Sequence, residues 1–281
     1  IDLDDFLIKI QLVDAVLISH MRGHTSDMDK ILSQCEKLGV PVIEDAAHSL
    51  GTTWRGKNIG TFGRLGCFSF QSYKLLNSGE GGMLITDDPD CFAKAVVMSG
   101  AYEHNWKKHH GERQFFEKWQ NQLPLYNMRL NNLSALIVDS QIPYLDERIE
   151  NGRRNHDIAA KKLSHSEWIH VPEKFEHEAR APDSIQFNLV GLTPLEVSQF
   201  CDLINRMGVA LQVFGNSKDN ARAFWNWDFL PERFNLPKTR GMLMNACDVR
   251  LPARLNVDDC KSIAEMILEA LRQVKSNMAA E

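Results

Sequence analysis

Three kinds of side chain stand in an order that points to one chemistry. An apolar run delivers Ser69, Lys74 follows five residues later, and a glycine-rich turn (Gly79, Gly81, Gly82) leads into a second apolar run, FSFQSYKLLNSGEGGMLIT in all. Upstream, VPVIEDAAHS is a β-branched run that ends on an acid, Asp45. Pyridoxal phosphate asks a protein for such a set. It needs a lysine amine for a Schiff base, a carboxylate on its pyridinium nitrogen, and hydroxyl or backbone N–H donors for its phosphate. Asp45 at a strand end also sits where α/β sheets place their ligands. It would keep the ring protonated as an electron sink, while Lys74, once released, would move a proton between the substrate carbon and the coenzyme C4′. Taken singly, each residue has a plainer reading: a surface lysine, a strand-end turn former, a core hydroxyl. Their order and spacing favour the chemistry.

Periodicity shows which elements would carry them. DAVLISH reads as a strand, and SDMDKILSQCEKLG reads as a helix with Ser26 as N-cap, Asp29 three positions on and Gly39 closing it. VPVIED is the next strand, and two parallel strands joined by one helix make a right-handed crossover. GCFSF and GMLITD flank the lysine turn as strands, and a helix follows Pro89. Residues 101–125 have weak periodicity and read as a loop. Tyr126 to Leu163 reads as one long helix bent at Pro143. A boundary near Asn151 within it separates a larger domain, 1–150, from a smaller one, 151–281.

In the smaller domain SIQFNLVGL and VALQV read as strands. TPLEVSQFCDLINRMG is a helix with Thr193 as N-cap, Pro194 at its first position and Gly208 at its end. NVDDCKSIAEMILEALRQVK is an amphipathic helix capped by Asn256. The aromatic stretch FWNWDFL reads as core packing in preference to a stacking surface. The fold class is α/β: a mostly parallel-sheet larger domain, N-terminally incomplete, plus a smaller α/β C-terminal domain.

Composition narrows the function. With 281 residues, 43% hydrophobic and 25% charged, the chain is of ordinary globular make-up. A net charge of −5 without a basic half argues against a nucleic-acid partner. Six cysteines (Cys35, Cys67, Cys91, Cys201, Cys247, Cys260) lack any C-x-x-C spacing and suit reduced thiols, so the expected compartment is the cytoplasm. No signal peptide is read, and no apolar run approaches the roughly 18 residues of a membrane helix. HMRGH (His20, His24) and HNWKKHH (His104, His109, His110) come without a matching ligand set, so no metal is expected. No G-x-S-x-G elbow supports a hydrolase.

EDAAHSLG, then GTFGRLGCFSFQSYKLLNSGEGGMLITDD, then YNMRLNNLSALIVDSQI resemble the DegT/DnrJ/EryC1/StrS aminotransferases, well from Asp14 to Arg154 and loosely beyond. The resemblance implies the fold-type I architecture of pyridoxal phosphate enzymes and a homodimer with active sites at the subunit boundary. It implies that Asp45 partners the pyridinium, His48 lies near the coenzyme's 3′-oxygen, Ser69 binds the phosphate and Lys74 forms the Schiff base. Asn127 of YNMR would reach the neighbouring subunit's phosphate region, and Glu80 would fix the GEGG turn. The implied activity is ping-pong transamination, from glutamate or glutamine to a nucleotide-linked keto-sugar.

Some features depart from that pattern. The family's Gly-Thr phosphate loop and ring-covering aromatic lie upstream of the Asp, so the sequence resembles a member lacking its N-terminal part. Leu136 and Val138 stand where the family has small residues. Three alternatives are weighed: a sugar dehydratase, whose histidine replaces the lysine and which Lys74 therefore disfavours; a non-catalytic paralogue with a structural or regulatory role; and another fold-type I enzyme acting on amino acids, with Arg250 or Arg254 as the carboxylate binder.

Overall fold

The computed structural model describes residues 1–102, 104–216, 221–231 and 234–278. They form two compact units: residues 1–147 with 175–181, and residues 148–174 with 182–281.

The first unit is built on a four-stranded sheet. Val16–Ser19, Val42–Asp45 and Leu65–Ser69 lie side by side and parallel, and Gly82–Ile85 runs antiparallel to the third. The register sets Ser19 opposite Asp45 and Asp45 opposite Cys67, so the three parallel strands end almost level. The crossover helix, Met28–Leu38, buries Met28, Ile31 and Cys35 in a cluster with Ile18, Val42, Ala46 and Ile59. Gly39 closes it in the left-handed conformation, φ 67°. Its N-cap is Asp27 and not Ser26: the Asp27 carboxylate accepts from the Lys30 N–H at 3.2 Å. That one-residue shift leaves Asp29 to accept from Trp54 Nε1 at 2.9 Å and Arg55 Nε at 2.8 Å instead of closing a capping box. A short helix, Leu3–Lys9, capped by Asp2, adds Phe6 to the same cluster.

One buried carboxylate ties this sheet to the loop before its third strand. Glu44 is fully buried and accepts from the backbone N–H groups of Gly60 (2.8 Å), Phe62 (2.6 Å) and Gly63 (2.6 Å). The His20 ring nitrogen Nε2 lies 3.2 Å away. Burial opposes the charge, but the hydrogen bonds from His20, Gly60, Gly63 and Phe62 outweigh it and hold the carboxyl below its ordinary range. The loop packs so close that a Cβ on Gly66 would lie 1.9 Å from the Gly60 carbonyl oxygen, which is why that strand position is glycine.

Two stretches differ from expectation. Residues 101–125 are not a loop throughout: they contain a 3₁₀ turn, Asn105–Lys108, and a helix, Arg113–Trp119. Their apolar face is a few aromatics, with Trp106 stacked on Phe116 at 5.2 Å between centroids, too short a pattern to show a period. The expected helix from Tyr126 begins only at Asn132, capped by Asn131. Before it residues 126–131 belong to no helix or strand, and the N–H groups of Tyr126 and Met128 donate to the carbonyls of Met98 and Ser99, the end of the Pro89–Met98 helix. Pro143 sits in a 3₁₀ turn, Ile142–Tyr144, from which the Leu145–Leu163 helix departs. The division between units falls early in that helix, and residues 175–181 return to the first unit, where Glu178–Ala179 pairs with Thr53–Trp54.

The second unit packs the Pro194–Arg206 and Val257–Met278 helices on an antiparallel sheet ordered Leu211–Val213, Ala246–Arg250, Ser184–Leu189, Ile169–His170. Thr193 and Glu196 form the capping box of the first helix, and Asn256 accepts from Asp258 and Asp259 N–H at the start of the second. The stretch at Phe224–Leu230 is not core. Phe229 is 78% exposed, the aromatics pack on one another (Phe224 with Trp225, Trp227 with Phe229), and Arg240 lies over Trp225. All six cysteines are unpaired. No helix among the described residues is long and apolar enough to cross a membrane.

Glu44→Gln should lower Tm at neutral pH by roughly 5–10 °C, because one oxygen cannot replace two and an amide N–H would face backbone N–H groups. The native carboxyl lies below the ordinary 4.5, so its stabilisation is fully present above that pH and is lost as pH falls through the lower folded value. The variant should therefore show a flatter acid limb in thermal melts across pH 2–7. An unchanged Tm at pH 7 would contradict this account.

Candidate active site

The site forms where the parallel strands end. Asp45 is the last residue of the second strand and is half-buried. Its Oδ2 accepts from the Ser19 hydroxyl at 2.8 Å, and its Oδ1 from the Ala47 N–H at 3.1 Å. These two bonds fix the carboxylate at the sheet edge, and Ser19, the last residue of the first strand, is a partner that sequence reasoning did not single out.

The loops that leave these two strands are laced together. The Gly23 N–H donates to the His48 carbonyl at 3.0 Å and lies 3.2 Å from Ser49 Oγ, while Ser49 Oγ–H donates to the His20 carbonyl at 2.7 Å. Thr52 Oγ1 donates to the Gly23 carbonyl at 3.1 Å. The lacing places the His48 ring between two basic side chains. Its Nε2 is 2.8 Å from Lys74 Nζ, and its Nδ1 is 3.4 Å from Arg22 Nη1.

Ser69 ends the third strand, and its Oγ accepts from the Gln71 N–H at 3.2 Å. The chain then makes a closed loop: Phe70 N–H donates to the Gly81 carbonyl, Ser72 N–H to Gly79, and Ser78 N–H back to Phe70. Gly79 (φ 89°) and Gly81 (φ 138°) take conformations that L side chains rarely adopt, so the glycines are a requirement of this loop. Glu80 joins the turn through its carbonyl, which accepts from Ser78 Oγ–H at 3.0 Å; its side chain is exposed. Lys74 sits at the loop's far end. Below it Leu76 is buried with Phe70 and Val138. Gln141 reaches in from after the Asn132–Asp139 helix: its Nε2 donates to the Asn77 carbonyl at 2.6 Å, and Asn77 Nδ2 donates to the Lys74 carbonyl at 3.2 Å.

Lys74 and His48 are thus brought into direct contact, and Asp45 and Ser69 end adjacent strands of the same edge. Asn127 stands apart. It is exposed in the segment before the Asn132–Asp139 helix, and Tyr126, Met128, Leu133 and Leu136 nearby in the chain are exposed as well. Of the two residues that depart from the family's small ones, Val138 is buried under the lysine loop and Leu136 is 63% exposed. Ser19 was legible in principle as the last residue of the first strand, whereas Arg22 is marked out only by its backbone conformation. Gln141 had no signal. Among the described residues no group of three His, Cys, Asp or Glu side chains could hold a metal ion. His20 instead pairs with Glu44, and His104 bonds Gln120.

The donor set fits pyridoxal phosphate in kind. It offers an amine held by an imidazole, a carboxylate fixed by two donors at the sheet edge, and a hydroxyl beside a glycine-built loop. The fold is that of pyridoxal-phosphate-dependent aminotransferases. The aminotransferase TlmJ from Streptoalloteichus hindustanus superposes with a TM-score of 0.78 at 19% identity, covering 93% of this chain and 66% of its own. The Escherichia coli GDP-4-keto-6-deoxy-D-mannose-3-dehydratase with bound hydrated coenzyme gives 0.78 at 21%, covering 95% and 70%.

In sequence, residues 10–268 match the DegT/DnrJ/EryC1/StrS aminotransferase family, and the chain belongs to it. It is 30% identical over 160 residues to GDP-perosamine synthase of Escherichia coli O157:H7, covering 57% of this chain and 41% of that enzyme. To 3-amino-5-hydroxybenzoate synthase of Amycolatopsis mediterranei it is 35% identical over 208 residues, covering 73% and 52%. The chain thus spans about half, or less, of the length of these curated relatives.

Gln141→Ala removes the support of the lysine loop. The variant loses the 2.6 Å bond to the Asn77 carbonyl and the 3.4 Å bond that the Asn77 N–H donates to Gln141 Oε1. Their loss, about 1–1.5 kcal/mol together, should speed exchange of the Asn77 and Ser78 amides about tenfold while leaving the strand amides of Val42–Asp45 unchanged. Equal exchange in variant and parent would show that the loop holds itself.

Proposed function

We propose that this chain carries the coenzyme site of an aminotransferase that moves an amino group from glutamate or glutamine to a nucleotide-linked keto-sugar. The observation that carries the reading is the Lys74–His48 contact at 2.8 Å, in the unit whose sheet edge also holds Asp45. Membership of the family supports the reaction class, and the relative named for GDP-perosamine supports the acceptor class.

When bound, pyridoxal phosphate supplies an aldehyde that accepts amines and a ring that draws electrons from the carbon bearing the amino group. The chain's own residues do the rest. Asp45, oriented by Ser19 and the Ala47 N–H, holds a proton on the ring nitrogen. Lys74 would supply the amine that holds the coenzyme and, once released, would move a proton between the substrate carbon and the coenzyme C4′ in each half-reaction. His48 keeps that amine in place and faces the coenzyme's 3′-oxygen. Ser69 would bind the phosphate by a hydrogen bond donated from its hydroxyl. Asn127, exposed among apolar neighbours, serves the phosphate of a second subunit in a homodimer with shared sites; an exposed apolar stretch of this kind suits a subunit contact. The reading places the protein in the cytoplasm.

The reading of an enzyme acting on amino acids is weaker. Arg250 is already paired with Asp183 at 2.9 Å, and Arg254 is exposed in a turn.

The test is a half-reaction with the chain supplied with pyridoxal phosphate. Glutamate or glutamine should bleach the coenzyme's visible band, and the matching 2-oxo acid should restore it. Asp45→Asn should slow both directions at least about a hundredfold, the low end of what a proton-holding group contributes. Glutamate and glutamine both leaving the band unchanged, or Asp45→Asn running at the parental rate, would overturn the assignment.

A further inference from the structure

Arg22 is a residue to which the reaction as proposed gives no part, yet the structure treats it as special. It is 5% exposed and takes φ 57°, a left-handed conformation that a non-glycine residue rarely holds. The backbone is pinned on its C-terminal side by Gly23, whose N–H donates to the His48 carbonyl and whose carbonyl accepts from Thr52. The outcome of that strained turn is a guanidinium whose Nη1 lies 3.4 Å from His48 Nδ1.

The two ring contacts are compatible with either tautomer, and a guanidinium at Nδ1 favours one of them. A guanidinium has donors only. A bond to Nδ1 therefore needs the lone pair of Nδ1, so the proton of a neutral imidazole stands on Nε2. That Nε2 is 2.8 Å from Lys74 Nζ. An Nε2–H aimed at the amine needs a lone pair on Nζ, which an ammonium lacks. The positive charge of Arg22 behind the ring acts the same way, since a like charge disfavours the protonated amine. On the same segments, Asp45, three residues before His48, has a carboxylate that accepts from Ser19 and Ala47, and Tyr73, next to Lys74 in the chain, is exposed.

We propose that Arg22 is a positioning residue: through His48 it fixes the Nε2–H tautomer and keeps the Lys74 amine uncharged, ready to attack a carbonyl. This rests on the reading of Lys74 as the coenzyme lysine, and it explains why a buried arginine is worth a strained backbone at this place.

The test is competitive acetylation of the coenzyme-free chain with trace acetic anhydride across pH 6–11, read by peptide mass spectrometry. In the parent, Lys74 should reach half-maximal labelling at least about one pH unit below exposed lysines such as Lys30. Arg22→Met should move the Lys74 profile up by about one unit, roughly a tenfold loss of amine reactivity at a fixed pH below the transition. Arg22→Lys should retain part of the advantage. Exposed lysines should not move in either variant, which a general loosening of the fold would not reproduce. Lys74 labelling together with Lys30 in the parent, or an unmoved profile in a folded Arg22→Met, would overturn the proposal.

If Arg22→Met does not fold, the ¹⁵N shifts of His48 in the parent, assigned by difference against His48→Gln, decide it. A proton on Nε2 supports the proposal and a proton on Nδ1 overturns it. Borohydride trapping of added pyridoxal phosphate separates the two readings. Early Lys74 labelling without trapping counts against the coenzyme assignment, and trapping with unshifted labelling counts against Arg22.

Discussion

Asp45 accepts a hydrogen bond from Ser19 because the first two strands are parallel and paired residue to residue, with Ser19 opposite Asp45. Much of the site depends on that register. Parallel strands send their chemistry to one edge, and here the three last residues are Ser19, Asp45 and Ser69. Arg22 lies three residues past the first strand's end, His48 three past the second's and Lys74 five past the third's. A slip of one residue in either pairing would turn Asp45 to the opposite face and leave the carboxylate without its hydroxyl partner.

Two features enforce the register from below. Glu44 and Asp45 are neighbours on one strand and so point to opposite faces. The inner one, Glu44, gathers three backbone N–H groups of the loop at Gly60–Gly63, and the outer one faces the site. A buried carboxylate satisfied in this way resists displacement, because losing any partner would strand a charge. Gly66, pressed against the Gly60 carbonyl, lets that loop approach the third strand closely enough for the bonds to form. The fold and the site are therefore coupled through adjacent residues of a single four-residue strand.

Much of this was legible in the sequence, for identifiable reasons. The strand–helix–strand unit announced itself through β-branched runs and Gly39. The lysine loop announced itself through glycines whose conformations other residues rarely take. Caps were less secure, since Ser26 and Asp27 are both good N-caps and only the outward pull of Trp54 and Arg55 on Asp29 decides between them. The aromatic helix at Arg113–Trp119 was missed because two turns with stacked rings carry no readable period. Residues 126–131 carry a helical pattern in the sequence but are held by pairing with Met98 and Ser99, which is not local. The return of residues 175–181 to the first unit is likewise a long-range pairing. Arg22 lay within a motif read only for its histidines, and what marks it out is a backbone angle that sequence does not display.

The central claim is that Lys74 is the residue to which the coenzyme attaches. The direct measurement is to mix the chain with pyridoxal phosphate, reduce with borohydride and map the modified peptide by mass spectrometry. The account predicts one reduced adduct, on Lys74 within the 68–86 stretch, lost in Lys74→Ala. Adduct spread over exposed lysines, with Lys74 unmodified, would contradict it.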